Sequence, residues 1–296
     1  MYTRRKGTRM DIGSTIELIR QKKNIPIKSL IGGIVSRAHY YRIANGQSDM
    51  TVTNFFKILE HLNVSLEEFL FIKNNFKIER FKALFTEVHQ SFIKQDLEKL
   101  LSLKEKSTII YKKTNLERYQ HIALVIQLLI DRLKEDGYDS FAKEYLQDYL
   151  MNLNMFTHYD LVLYSNSFFA FSKELNEAIS VRILDNIKKY EQLKAFESDT
   201  VKVLSNMIFY EIELNDFKKV KEYIGYMKQV ELSEHLILEK VLKKFFMGVD
   251  CLLTKNIMQG KKQMKESMTI LNILDNNHYF FLEKIEDHLL NYFKLY

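Results

Sequence analysis

Residues 34–46 read Ile34-Val-Ser-Arg-Ala-His-Tyr-Tyr-Arg-Ile-Ala-Asn-Gly46, and this stretch decides the fold of the N-terminal region. It follows a tight corner at Gly32-Gly33. Ser36 is a suitable N-cap, because its side-chain oxygen can accept a bond from a free amide of the first helical turn. Asn45-Gly46 suits the other end, since glycine readily takes the left-handed conformation that ends helices. The pattern predicts a short helix between these two points.

Four further short helices are predicted around this one. Ile12, Ile16 and Ile19 share one helical face, which predicts a helix over residues 12–22. Pro26 ends any preceding helix and suits the first turn of the next, over residues 26–31. Thr51 is a plausible cap for a helix that ends near residue 62, and Ser65-Leu-Glu-Glu68 is a capping box that opens a fifth. We therefore expect a five-helix domain over residues 10–72.

The composition predicts an all-α protein. The chain has 296 residues, 46% of them hydrophobic and 28% charged, with one proline and nine glycines. Because β-sheet folds need many turn residues, this scarcity favours long helices with short joints. The length favours two domains.

Positive charge is concentrated at the N-terminus. Residues 1–42 hold ten basic and two acidic residues, a net charge of +8, whereas the rest of the chain holds 34 basic and 36 acidic residues. Such concentration is typical of a chain that binds a polyanion. A solubilising N-terminal tail is the alternative explanation.

The sequence contains no catalytic or metal-binding motif. It has no P-loop, no Gly-x-Gly-x-x-Gly and no His-Glu-x-x-His pattern, and its eight histidines are scattered. The single cysteine, Cys251, excludes an intramolecular disulfide and is best explained as a small buried residue. The most apolar run, residues 122–130, is far shorter than the roughly 20 residues of a membrane span, and the charged N-terminus is no secretory signal. We expect no enzyme activity, no cofactor, no metal, no membrane and a cytoplasmic location.

The remainder, residues 73–296, is predicted to be a series of helices. Joints are expected near residues 94–95, 107–114, 135–138, 154–157, 172–173, 197–199, 215–216, 232–233, 255–260 and 275–278. Three similar segments, Lys143-Glu-Tyr-Leu146, Lys221-Glu-Tyr-Ile224 and Lys265-Glu-Ser-Met268, are spaced by 78 and 44 residues, so one unit is about 40. Helical hairpins of this length stack into right-handed superhelices with a concave face, as in tetratricopeptide (TPR) repeats. Because the period drifts, irregular helical packing is the alternative.

Several motifs carry a resemblance to a known family. They are Gly32-Gly33-Ile34-x-Ser36, Arg42-Ile43-Ala44-Asn45-Gly46-x-Ser48-Asp49, Phe56 to Val64, Leu66-Glu-Glu-Phe69, Asp160 to Asn166 and Val203-Leu-Ser-Asn206. Together they resemble the Rgg/GadR/MutR regulators, and length and layout match over the whole chain. The resemblance implies an XRE-like helix-turn-helix domain followed by a TPR-like right-handed repeat domain. It also implies a homodimeric cytoplasmic transcription factor, whose repeat domain belongs to a group that binds short secreted and re-imported signalling peptides.

The sequence departs from the family pattern at two places. Many such domains have a glutamate before the Asn-Gly pair, often paired with an arginine of the first helix; here the residue is Ala44. Arg20 must therefore find another partner or face a phosphate. Some relatives carry a cysteine near the contact between DNA-binding domains, and its absence here means that no disulfide can join subunits there.

The helix-turn-helix predicts a set of contacts with double-stranded DNA. The N-terminal turns of such a helix enter the major groove, so the base-facing set would be Ser36, Arg37, Ala38 and Tyr41. The planar fork of Arg37 can bond guanine O6 and N7 together, and the Ala38 methyl can touch a thymine methyl. The expected phosphate contacts are Arg42, Lys28, Arg20 and Lys22. Tyr40 and Ile43 are expected in the core, and Arg4, Arg5, Lys6 and Arg9 would form an arm unless translation starts at Met10.

Asn166 and Asn206 are the candidate peptide-binding amides. Each lies within an apolar helix, 40 residues apart, and an amide can bond a peptide backbone at both its C=O and its N–H. The remaining candidates for this surface are Tyr164, Phe168, Tyr210 and Lys202. The alternative is that each asparagine caps a helix or joins two helices.

Other questions stay open in the sequence. The apolar segment 280–296 suits either a cap on the repeats or a dimer contact. The main functional alternative is a constitutive DNA-binding regulator whose helical domain serves dimerisation and protein-partner recruitment without a peptide. A helical adaptor with an inactive DNA-binding domain is a third.

Overall fold

The computed structural model describes residues 11–135, 137–190, 195–274 and 278–294, and its regular elements there are all helical. The all-α prediction is confirmed. The chain divides into two compact units, one ending at Gln90 and the other beginning at Ser91. The first unit therefore continues beyond the boundary expected at residues 72–73.

The first unit contains the five predicted short helices. They are α1 (Ile12–Lys22), α2 (Ile27–Ile31), α3 (Arg37–Ala44), α4 (Val52–Leu62) and α5 (Leu66–Lys73), followed by α6 (Arg80–Ile93), in which the division falls. The predicted caps are present: Ser36 accepts a bond from the His39 amide at 3.2 Å, and Ser65 and Glu68 form both bonds of the capping box. The caps therefore fix where α3 and α5 begin.

One small core joins these helices. Its buried members are Ile16, Ile19, Leu30, Tyr40, Ile58, Leu59, Leu62 and Phe69. The crossing of α1 and α3 is especially close, because a Cβ added at Gly13 would lie 1.8 Å from the Ile43 carbonyl oxygen. The position of α3 thus depends on a glycine whose role the sequence pattern does not indicate.

The second unit is a succession of longer helices. They are α7 (Leu97–Thr114), α8 (Glu117–Lys134), α9 (Ser140–Asn152), α10 (His158–Ser165), a 3₁₀ turn (Phe168–Ala170), α11 (Lys173–Lys189), α12 (Ala195–Glu213), α13 (Phe217–Gln229), α14 (Ile237–Leu253), α15 (Ile257–Ile273) and α16 (His278–Tyr292).

Two predicted joints are wrong. Residues 107–114 lie inside α7, because the hydroxyls of Ser107, Thr108 and Thr114 donate to carbonyls one turn back and do not interrupt the helix. Residues 197–199 lie in α12, which begins at Ala195. Acidic side chains are favoured near a helix N-terminus, so Glu197 marks the beginning of the helix rather than a joint.

Polar bridges between successive helical pairs support a repeat of about 40 residues. Ser198 donates to Glu239 at 2.6 Å, 41 positions away, and His158 pairs with Asp199 over the same spacing. Lys173 and Asp216, 43 apart, are joined at 2.7 Å. The helices α8, α10, α12 and α14 also pack consecutively against one another. The handedness of the stack stays a prediction.

The last helix folds back on its own unit. Leu282, Ile285 and Leu289 are buried, and the Tyr292 ring lies 4.7 Å from the Phe217 ring, centre to centre. His288 Nε2 is 3.1 Å from Asn215 Oδ1. These contacts favour the cap, one of the two roles considered for this segment, and the dimer contact stays a prediction.

Candidate functional site

The helix α3 presents one polar face to solvent. Arg37, Ala38, Tyr41 and Arg42 are exposed, as is the N-cap Ser36. The Arg37 guanidinium carbon lies 5.9 Å from the centre of the Tyr41 ring, one turn further along. Cation–π contact of this kind is weak at an exposed site, so Arg37 stays free to turn toward a ligand.

The opposite face of α3 is buried, as predicted. Tyr40 is 0% exposed and Ile43 is 3% exposed. The structure thus divides the helix into packing residues and the candidate contact residues. Lys22 and Lys28 are also exposed, and neither has a side-chain partner within the part of the chain that the structure describes. The predicted arm, residues 4–9, lies outside the described residues.

Arg20 has a different environment from the one predicted. Its Nε and Nη2 donate to the two Glu17 carboxylate oxygens at 2.8 and 2.6 Å, and its Nη1 donates to the Ile25 carbonyl at 2.8 Å. The Tyr40 hydroxyl donates to the same carboxylate at 2.5 Å. Because the guanidinium is engaged inside the domain, we do not place Arg20 among the phosphate contacts.

This network explains the departure at Ala44. Glu17, on α1 itself, supplies the carboxylate that the family pattern places at the end of α3. The hydrogen bond from Arg20 lowers the pKa of Glu17, and burial raises the pKa of Tyr40. The sequence signal for this pair is the three-residue spacing of Glu17 and Arg20 on one helix.

In the second unit, four predicted ligand residues lie together. Asn206 Nδ2 on α12 donates to the Ser165 carbonyl at the end of α10, at 3.3 Å. Asn166 follows directly, and its Nδ2 donates to the Val162 carbonyl at 2.7 Å. The rings of Phe168 and Tyr210 are 6.0 Å apart. All four side chains are half-buried, so one accessible surface carries two amides and two rings.

The contacts of the two asparagines are compatible with both roles considered for them, the structural amide and the peptide-binding amide. Each amide nitrogen is used within the chain, as expected of a structural asparagine. The Oδ1 atoms of Asn166 and Asn206 have no partner among the described residues, so each keeps an acceptor for a ligand N–H. Lys202 is exposed one turn before Asn206.

Tyr164 does not line this surface, contrary to prediction. It is 1% exposed, and its hydroxyl donates to Asn176 Oδ1 at 3.1 Å. Its ring lies 6.1 Å from that of Phe168. Tyr164 therefore packs beside Phe168 from the buried side, because the face of α10 that carries Tyr164 is turned toward α11.

The aromatic surface extends further than predicted. The Phe169 ring is 6.1 Å from Phe168 and 5.6 Å from Tyr138, and the Arg132 guanidinium carbon lies 4.5 Å above it. The sequence signal for this extension is the tandem Phe168-Phe169. The structure thus adds a second pair of rings to the candidate site.

Other kinds of site receive no support from the described residues. They contain no group of three or more His, Cys, Asp or Glu side chains placed to hold a metal ion. None of their helices is both long and apolar enough to span a membrane. Cys251 is half-buried, and its Sγ lies 3.8 Å from Gln263 Oε1.

A capped helix-turn-helix bundle with a polar recognition helix, joined to a unit of packed helical pairs, defines a DNA-binding transcriptional regulator. The helix-turn-helix family model matches residues 16–69. The model of the C-terminal domain of the HTH-type transcriptional regulator Rgg matches residues 101–281. The chain therefore belongs to the Rgg family, whose members are regulators rather than enzymes.

Solved structures share the fold over nearly the whole chain. A protein from Listeria monocytogenes EGD-e, assigned as a transcriptional regulator, has 17% identity and a TM-score of 0.85, covering 98% of this chain and 100% of its own. The SHP pheromone receptor Rgg2 of Streptococcus dysgalactiae has 18% identity and a TM-score of 0.75, covering 95% and 99%. PrgX in complex with cCF10 has 17% identity and a TM-score of 0.68, covering 94% and 98%.

Proposed function

We propose that this chain is a cytoplasmic, homodimeric regulator that binds promoter DNA through α3 and is controlled by a short signalling peptide. The observation that carries the peptide role is the bond from Asn206 to the Ser165 carbonyl, which brings two asparagines, one repeat apart, onto one surface with Phe168 and Tyr210. The similar proteins described as a pheromone receptor and as a PrgX/cCF10 complex support the same role.

At the DNA, the N-terminal end of α3 would enter the major groove. Arg37 would bond a guanine edge through two nitrogens, and the Ala38 methyl would meet a thymine methyl. Ser36 and Tyr41 complete the base-facing set. Phosphates would be held by Arg42, Lys22 and Lys28, which fix position but do not read sequence.

At the peptide, Asn166 and Asn206 would accept backbone N–H groups through their free Oδ1 atoms. Phe168 and Tyr210 would bury apolar side chains, which supply most of the affinity of an extended ligand. Lys202 would add a cation on the same face of α12, one turn before Asn206. We include neither Tyr164 among the peptide contacts nor Arg20 among the DNA contacts.

Control would operate through a two-state dimer. A peptide shifts such an equilibrium only by its differential affinity for the two states. Two half-sites on DNA lie about 34 Å or a multiple of it apart, so a small change between subunits alters DNA affinity.

The DNA role is tested by comparing Arg37→Ala and Lys28→Ala on specific and random duplexes. We expect Arg37→Ala to cost about 1 to 3 kcal/mol on the specific site and little on random DNA, because it removes base contacts. Lys28→Ala should weaken both to a similar extent. Equal losses on both duplexes for Arg37→Ala would refute the base-reading role.

The peptide role is tested by calorimetry with a hydrophobic peptide encoded beside the gene. Binding heat that is lost in Asn206→Ala, with the fold retained, is the expected result. Absence of heat, together with an unchanged thermal midpoint, would favour the constitutive regulator. Sedimentation velocity of the same samples tests the dimer.

A further inference from the structure

One face of α12 carries opposite charges, with Lys202 near the middle of the helix and Glu213 at its C-terminal end. Lys202, Asn206, Tyr210 and Glu213 are spaced at i, i+4, i+8 and i+11, so they form one stripe along the helix. Lys202 and Glu213 are exposed, and neither is bonded to any residue that the structure describes. An amide and a ring lie between them, within the surface already described.

Acidic side chains outnumber basic ones around Tyr138, near the Glu213 end. The Tyr138 hydroxyl lies in the field of Arg132, Asp131 and Glu213, two carboxylates against one guanidinium. Asp131 is already bonded to the Gln127 amide and the Asp139 backbone, whereas Glu213 has no such bond within the described residues. The C-terminal end of α12 adds the negative end of its helix dipole. An ammonium group would be stabilised there.

We infer that this stripe binds both termini of an unblocked peptide, its ammonium at Glu213 and its carboxylate at Lys202. The ligand would then run antiparallel to α12. This inference rests on the proposed peptide function and adds the orientation, the length and the free ends of the ligand. Charge complementarity is the reason for choosing this occupant.

The spacing of the two charges sets the ligand length. Eleven helical residues rise about 16 to 17 Å. An extended peptide advances about 3.3 Å per residue, so about five to seven residues fit between the charges once side-chain reach is included. A blocked or much longer chain would leave at least one charge unpaired.

The rings place the apolar part of the ligand. Tyr138, Phe169 and Phe168 follow one another at 5.6 and 6.1 Å, and Phe168 meets Tyr210 at 6.0 Å. They lie toward the Glu213 end of the stripe, because Phe168 contacts Tyr210, which precedes Glu213 by three residues. The first residues of the ligand should therefore be apolar, with the amide contacts nearer its carboxyl end.

The test uses a pooled library of synthetic hexapeptides of Leu, Ile, Val, Phe and Ser with free ends. Peptides that co-elute with the full chain are identified by mass spectrometry and remade free, N-acetylated and C-amidated. For the wild type, we expect each block to weaken binding about three- to tenfold, as for a partly exposed ion pair. In Glu213→Lys, acetylation should no longer weaken binding and should instead strengthen it, because it removes an ammonium that the new lysine repels. Amidation should act in the same way in Lys202→Glu.

Matched controls are Glu144→Lys on α9 and Lys221→Glu on α13, exposed positions outside the stripe, which should behave like the wild type. Binding that ignores both blocks, or that responds to them equally in the wild type and the two stripe variants, would overturn the inference and leave the peptide function standing. If no hexapeptide of the free-ended pool binds and the peptide encoded beside the gene also fails, the proposed function falls, and the inference with it.

Discussion

Replacing Gly13 by alanine should separate α1 from α3. The added Cβ would lie 1.8 Å from the Ile43 carbonyl oxygen, whereas real Cβ contacts essentially never fall below 3.0 Å. The obstacle is backbone, so rotating a side chain cannot relieve it. The two helices must therefore move apart by about 1.2 Å, the difference between these distances.

The cost follows from what the crossing holds together. Overpacking a core typically costs about 1 to 3 kcal/mol, and better helix propensity returns at most about 1 kcal/mol. The shift also stretches the 2.5 Å bond from Tyr40 to Glu17, which joins the same two helices. We expect a net loss of about 2 kcal/mol in the free energy of unfolding of the first unit, or about 10 °C in its midpoint.

Gly225→Ala is the matched control. Gly225 lies in α13, and a Cβ there would meet no atom within 4 Å. This variant should stabilise its unit by about 0.5 to 1 kcal/mol, because alanine loses less backbone entropy than glycine. Chemical denaturation followed by circular dichroism measures both variants. If Gly13→Ala were as stabilising as Gly225→Ala, the close crossing of α1 and α3 would be refuted.

Three further predictions concern pairs described above. Glu17→Gln removes a carboxylate whose pKa is lowered by Arg20. Such a group stabilises the fold at a pH above its unfolded pKa of about 4.3, and this stabilisation is lost as the pH falls. The unfolding curves of the variant and the wild type should therefore differ at neutral pH and converge in acid. Tyr164→Phe leaves Asn176 Oδ1 without its donor and should cost about 1 to 3 kcal/mol in thermal unfolding, while calorimetric peptide affinity stays the same; a selective loss of affinity would return Tyr164 to the ligand surface. Gly260→Ala puts a Cβ 2.8 Å from the Gly248 carbonyl oxygen and should lower the midpoint of the second unit; a rise would contradict that packing.

Local signals in the sequence were sufficient to predict much of the structure of the first unit. The Ser36 cap, the Ser65–Glu68 capping box and the buried pair Tyr40 and Ile43 depend on neighbouring residues, and all were predicted. The partner of Arg20 was missed although Glu17 lies three residues away, because the expectation came from a family pattern and not from the helix surface.

Features that depend on contacts between residues far apart in the chain were harder to predict from the sequence. Gly13 looks unremarkable in α1 until Ile43 approaches it from α3. Tyr164 lies four residues before Phe168, a spacing that places both on one helical face. Its side chain is nevertheless buried, because it packs toward Asn176 on α11. A joint was predicted near residues 107–114, but α7 continues through them, because their hydroxyls bond to carbonyls one turn back within the helix.

The bridges between residues 41 to 43 positions apart make the second unit sensitive to chain length. Inserting one residue between Ser198 and Glu239 inside α12, α13 or α14 would rotate every later side chain of that helix by about 100° and separate the paired groups. The same insertion in the segment between α13 and α14 can be absorbed without turning either helix. Insertions and deletions among homologous chains should therefore occur mainly in the segments between helices. The spacing of the repeats should vary for this reason, while the lengths of the helices stay constant.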